Sequence, residues 1–328
     1  MCVRLLLVPL LAALFIVAGN PTVRADTPQE VKVGVYVSNL FDVNFSKRDV
    51  EAQFWVWFDH SLAELDPRNE IDIINARNAK LLSHSREEVN GGYWDALKYS
   101  ATLNETWAIE NYPFDRQTIR ISLESANLDA RRIRFVPDLK GTKIRDDLKL
   151  EGWKIEGIRI APSETVYHTA YGDPTLSPDG PSRYPRVTVE IDVKRNGWRL
   201  LLNTFIGFAL AIALAGIVLS SIASGRLSRT FELGPQLSLG TGALFSTIGA
   251  GYILQNGLPA TTEFSLADAF QLTAFFVTFL TMLSVFVVHV LRKHDRQRGA
   301  LLFGRAIFLF YLSILSLIAF RVNQAVIS

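Results

Sequence analysis

The chain has 328 residues, 49% of them hydrophobic, with a formal charge of only +2. That length accommodates a folded domain and several membrane spans, and the apolar excess excludes an ordinary soluble protein. The near balance of charge speaks against a nucleic-acid partner, and the single cysteine, Cys2, leaves nothing from which to build a disulfide.

Residues 1–25 read as a secretory signal. Arg4 stands in a charged start, Leu5 to Ala18 is an apolar run, and Val23-Arg24-Ala25 supplies a small-residue cleavage site. A first membrane helix is the alternative, which Pro9 and the shortness of the run disfavour. Without this segment basic and acidic residues are equal in number.

From residue 26 to 195 the sequence is polar, broken by Pro and Gly, and alternates in short runs, which predicts an all-β sandwich. Val187, Val189, Ile191 and Val193 share one face of a strand, while Thr188, Glu190 and Asp192 share the other. Val31 to Val37 and Val50 to Phe58 behave alike, and a place in the sandwich core explains Trp55 and Trp57 better than a cofactor site.

Residues 196–328 form the predicted membrane domain, all-α, with spans at about 200–222, 235–256, 269–291 and 301–320. The run from Leu200 to Ile222 is uncharged, and at ~1.5 Å per residue it crosses a hydrocarbon core of ~30 Å. Arg305 lies one turn inside the last span, within snorkelling reach of headgroups. Arg226, Arg229, Arg292, Lys293, Arg296 and Arg298 fall in the first and third inter-span loops, whereas the second, 259–268, has no Lys or Arg. The basic loops mark the cytoplasmic side and put the β-domain outside.

The second span is unlike the others. On a helix, Ser238, Gly242, Phe245, Gly249, Tyr252 and Asn256 form one stripe that does not suit lipid. Either it packs closely through small residues such as Gly242 and Ser246, or it lines water, with Phe245 as a ring that closes the path by dewetting. Glu232, just before the span, is either a cation-attracting carboxylate at a symmetric mouth or an interfacial neighbour of Arg229.

Tyr112-Pro113-Phe114-Asp115-Arg116-Gln117, together with the sandwich and four spans, resembles the signature loop of the pentameric ligand-gated ion channels, the Cys-loop receptor superfamily. The likeness is to prokaryotic members without the disulfide, since Glu105 and Ile119 stand where relatives carry cysteines. Asn75 to Ala79, Leu150 to Trp153, Lys194-Arg195, Gln236 to Gly240 and Leu258-Pro259 resemble family segments in the same order. The resemblance implies a homopentamer around a central pore in a bacterial inner membrane, in contact with lipid and permeant inorganic ions. It implies coupling through Tyr112, Pro113, Phe114, Asp115, Arg195 and Pro259, with ligand held between adjacent β-domains.

For the ligand, Tyr171 and Tyr184 match capping-loop aromatics, Glu124 matches a carboxylate that meets amines in some members, and Arg77 follows the first binding loop. Aromatic rings suit an ammonium. A proton sensed by carboxylates, or by His84 or His168, is the alternative agonist. Between Asp59 and Asn75 the chain is shorter than in relatives, so a strand is expected to be missing; Gly207 replaces a proline common in the first span. No HExxH, GxSxG or GxxxxGK motif and no metal-ligand spacing is present, so no enzyme, cofactor or metal is expected. The rival reading is a non-conducting membrane sensor or scaffold with a periplasmic binding domain.

Overall fold

The computed structural model describes residues 27–171, 181–224, 233–258 and 263–327. Residues 1–25, read above as a signal, Arg226, Arg229, Glu232, Pro259 and most of the stretch after Tyr171 lie outside the described residues.

Among the described residues, ten strands form two facing sheets. One runs β4 (Ala76–Val89), β5 (Gly92–Asn104), β2 (Asp49–His60), β1 (Gln29–Asn44) and β7 (Ile133–Pro137), with β8 (Lys143–Ile144) also on β1. The other runs β3 (Ile71–Ile73), β6 (Arg116–Ser125), β10 (Ser182–Arg195) and β9 (Trp153–Tyr167). Alternation explains the pairing of faces. Val50, Ala52, Phe54, Val56 and Phe58 of β2 point inward to meet Ile119, Ile121, Leu123, Val187, Val189 and Ile191, all buried in one core. Apart from the small Ala52, each such side chain contributes about 1.5–3 kcal/mol by leaving water. The outermost strand β4 is exposed and charged along its length, which keeps that sheet edge from pairing further.

Trp57 lies on the outer surface of its sheet rather than in the core. Its indole covers Gly34, where an added Cβ would come within 2.2 Å of the ring. The short segment after β2 holds a single helical turn, α1 (Pro67–Glu70), capped by Asp66, and the strand β3, which pairs with β6. The shortened stretch thus still holds one strand, and at three residues β3 is too brief to show alternation.

Among the described residues four long apolar helices follow: α2 (Gly197–Ala223), α3 (Leu233–Gly257), α4 (Leu266–Lys293) and α5 (Gln297–Ile327). Each has the length and composition to cross a bilayer. All extend past the apolar runs that predict them, because polar turns outside the hydrocarbon remain helical. At α4 the extension is set by a capping box, Ser265 with Asp268. The central pair α2 and α4 separates α3 on one side from α5 on the other. Small residues bring the helices close: a Cβ at Gly207 would meet that of Ala250 at 2.7 Å, and the Ser246 hydroxyl donates to the Gly207 carbonyl at 2.9 Å.

Candidate functional site at the junction of sandwich and helices

The loop between β5 and β6 descends onto the helix ends. Tyr112 and Phe114 are buried, and the Tyr112-Pro113 peptide is cis. Tyr112 faces Phe205 of α2 at 6.5 Å between ring centres. Phe114 stands edge-on to Trp198 at 5.2 Å and packs with Leu266 of α4 and Ala325 of α5. The Glu110 carbonyl accepts the Leu266 amide at 2.9 Å. One loop therefore touches the outer ends of three helices.

Asp115 organises the loop's exit. It is 2% exposed, and its carboxylate accepts Arg195 Nε at 2.7 Å and Nη2 at 3.2 Å, a bidentate pair, together with Gln117 Nε2 at 2.6 Å. Gln117 also bonds both the carbonyl and the amide of Ala108, closing the loop's neck. The Arg195 guanidinium is ringed by Trp153 at 4.0 Å, Phe45 at 4.2 Å and Tyr112 at 5.2 Å. Phe45 in turn stacks on Trp107 and Trp153. Arg195 is the last residue of β10, so this cage binds the loop, the β1–β2 turn and the chain that becomes α2 into one unit.

Gly197, the first residue of α2, fits beneath the loop. A Cβ there would stand 2.1 Å from the Pro113 carbonyl oxygen and 2.9 Å from Phe114. Gly197→Ala is expected to lift the loop from α2 and to cost about 1–3 kcal/mol; thermal unfolding in detergent measures it, and an unchanged midpoint would refute the close fit.

Of the ligand candidates, Tyr171, Tyr184 and Glu124 come together, lining a cavity of about 390 Å³ with Asp72, Asn127 and Tyr167. Tyr167, missed in the sequence, stands edge-on to Tyr171 at 5.6 Å and to Tyr184 at 5.9 Å. Its hydroxyl donates to Glu124 at 2.7 Å, and that bond raises its pKa above the usual phenol. Arg186 also escaped the sequence reading. It directly opposes Glu124 across β10 and β6 and binds its carboxylate at 2.6 Å, so the charge expected to meet an amine is already matched. Arg77 is elsewhere, on the other sheet, bonded to Asp49, Asn104 and the Lys47 carbonyl. His84 and His60 each bond one oxygen of the buried Asp95, and His168 is exposed at the end of β9.

The stripe on α3 is left uncovered by its own protomer. Ser238, Gly242, Phe245, Gly249, Tyr252 and Asn256 are all exposed, Phe245 by 70% and Tyr252 by 71%. Gln236, Gly240, Ala243, Thr247, Ala250 and Leu254 form the opposite, buried face against α2 and α4. Gly242 and Gly249 meet nothing within 4 Å. Close packing within the protomer runs instead through Gly240, Ser246 and Gly251. Thr241 and Ile248 share the open arc, which is wider than the stripe read from the sequence.

A β-sandwich whose signature loop is seated on the ends of three of four membrane helices defines a multi-pass membrane protein with an architecture like that of the Cys-loop receptors. No protein-family model matches the chain. It is similar, at 21% identity over 304 residues, to a proton-gated ion channel of Gloeobacter violaceus, across 86% of this chain and 79% of that one. Loop, element order and this similarity agree in likening the chain to the pentameric ligand-gated ion channels, in the form that lacks the disulfide.

Proposed function

We propose that the chain assembles as a homopentamer in the bacterial inner membrane, its sandwich periplasmic, and forms a cation-conducting channel opened by protons. The observation that carries this reading is the loop of Tyr112 to Asp115, caged by Arg195 above and seated on α2, α4 and α5 below. A change in the sandwich has a direct path to the helices there. Five copies with α3 innermost would cover its apolar edges and leave Ser238, Gly242 and Asn256 facing water. The basic cluster where α4 ends and α5 begins, Arg292, Lys293, Arg296 and Arg298, supports a cytoplasmic position for that end. The cation preference rests on Glu232 alone.

Protons are favoured over amines because Glu124 is paired with Arg186, and because the similar channel is proton-gated. The three-tyrosine cavity is the observation that keeps an ammonium ligand as a second reading. Purified protein in liposomes, stepped from about pH 8 to about pH 4, should carry a cation current and yield a five-band cross-linking ladder. Current evoked by primary amines at the higher pH selects the second reading. Silence under every condition, or a ladder that stops short of five, rejects the channel.

A further inference from the structure

Glu105 occupies one of the two positions where disulfide-bearing members of the family close their signature loop. Here the side chain is 3% exposed, at the end of β5. One carboxylate oxygen accepts the backbone amide of Arg120 in β6 at 2.6 Å, and the other lies 3.5 Å from the Arg120 guanidinium. The Glu105 amide donates to the Arg48 carbonyl in the β1–β2 turn at 2.8 Å. A single carboxylate thus fastens the strand that enters the coupling loop to the strand that leaves it, where a covalent bridge would otherwise stand.

The charged groups facing this site make it responsive. Arg120 is shared, its Nε lying 3.5 Å from Glu190 of β10, and Glu190 also binds Arg159 of β9 at 2.6 Å. Arg159 pairs in addition with Asp192, which accepts the Thr118 hydroxyl at 2.8 Å. Burial, which Arg120 only partly offsets, pushes the Glu105 carboxyl up to about 7, and the nearby Glu190 charge adds to the rise. Protonation removes the ionic attraction to Arg120 and the charge assistance of the amide bond, and leaves Arg120 to Glu190.

Resting on the proton-gated reading above, we propose that Glu105 is a proton-binding site of this chain, and that proton uptake there loosens the tie bracketing the coupling loop. A ligand shifts an equilibrium only as far as it binds one state better. In the proposed moved state Glu105 stays out of water but loses its Arg120 bonds; with burial, the chief cause of its raised pKa, retained and the Arg120 offset gone, it takes a proton more readily there, which gives acid the required sign.

Hydrogen exchange of backbone amides in 106–120, on the full-length protein in detergent and corrected for intrinsic rates, reads the tie without current. Wild type should show protection that falls on acidification with a midpoint of about 7. Glu105→Gln should exchange as the acid form at every pH and, in liposomes, open at less acidic pH with a shallower activation curve. Glu190→Gln, on the half-buried outer face, should move the exchange midpoint to lower pH and decides the matter alone if the first variant does not assemble. Midpoints untouched by both substitutions overturn the proposal. A protein that exchanges as expected but never conducts sinks the channel reading and leaves the proton site standing.

Discussion

Asp115→Asn should cost about 3–5 kcal/mol of stability, the usual consequence of removing one partner of a buried ion pair. The amide keeps the size of the side chain but turns a donor toward groups that are themselves donors. Arg195 Nε and Nη2 and Gln117 Nε2 all point at the carboxylate, so an asparagine can satisfy some of them only by opposing another. The guanidinium would remain among Trp153, Phe45 and Tyr112, whose faces attract a cation but do not replace a charge. Arg195→Lys should fall between the two, keeping the charge and losing the fork. Thermal unfolding and size-exclusion of the assembly test this, and a variant that melts with wild type would show that the pair holds nothing. Any Asp115→Asn protein that still assembles should need stronger acid to open, because the unit linking sandwich to α2 is slack.

The second large effect is expected from Phe245→Ala. Phe245 lies midway along α3 on the face its own protomer leaves bare, with Gly242 and Gly249 a turn to either side. If five such rings close the path by excluding water, removing them takes away the hydrophobic closure. About 1.4 kcal/mol less closed-state stability is about tenfold more open population. Raised leak at neutral pH and activation at less acidic pH are the expected results, with the melting midpoint little changed. The same substitution separates the pore from the packing alternative. A face that packs against a neighbouring helix would lose stability and gain no leak.

What local pattern governs was legible beforehand. The alternation of Val187 to Val193, the long apolar runs and the Tyr-Pro-Phe-Asp turn each carry their message within a few residues. What depends on register was not. Arg186 opposite Glu124 is a property of how β10 lies on β6, and 62 residues of chain separate the two. Tyr167 joins Tyr171 and Tyr184 only because β9 and β10 pair as Ser182 with Tyr167 across the hairpin. The Glu105 tie to Arg120 needs the loop to close before it exists. The start of α4 was readable in principle, since Ser265 and Asp268 have capping-box spacing. Attention to apolar length alone passes over it.

The aromatic cage around Arg195 has an optical consequence. The chain has six tryptophans, and Trp153 and Trp107 both stack on Phe45 at the centre of that cage. Trp153 lies 4.0 Å from the guanidinium. Indole emission responds to a nearby charge and to water, so displacement of Arg195 alters the protein's own fluorescence. The junction between sandwich and membrane helices therefore carries its own reporter, with no label to attach and no current to record.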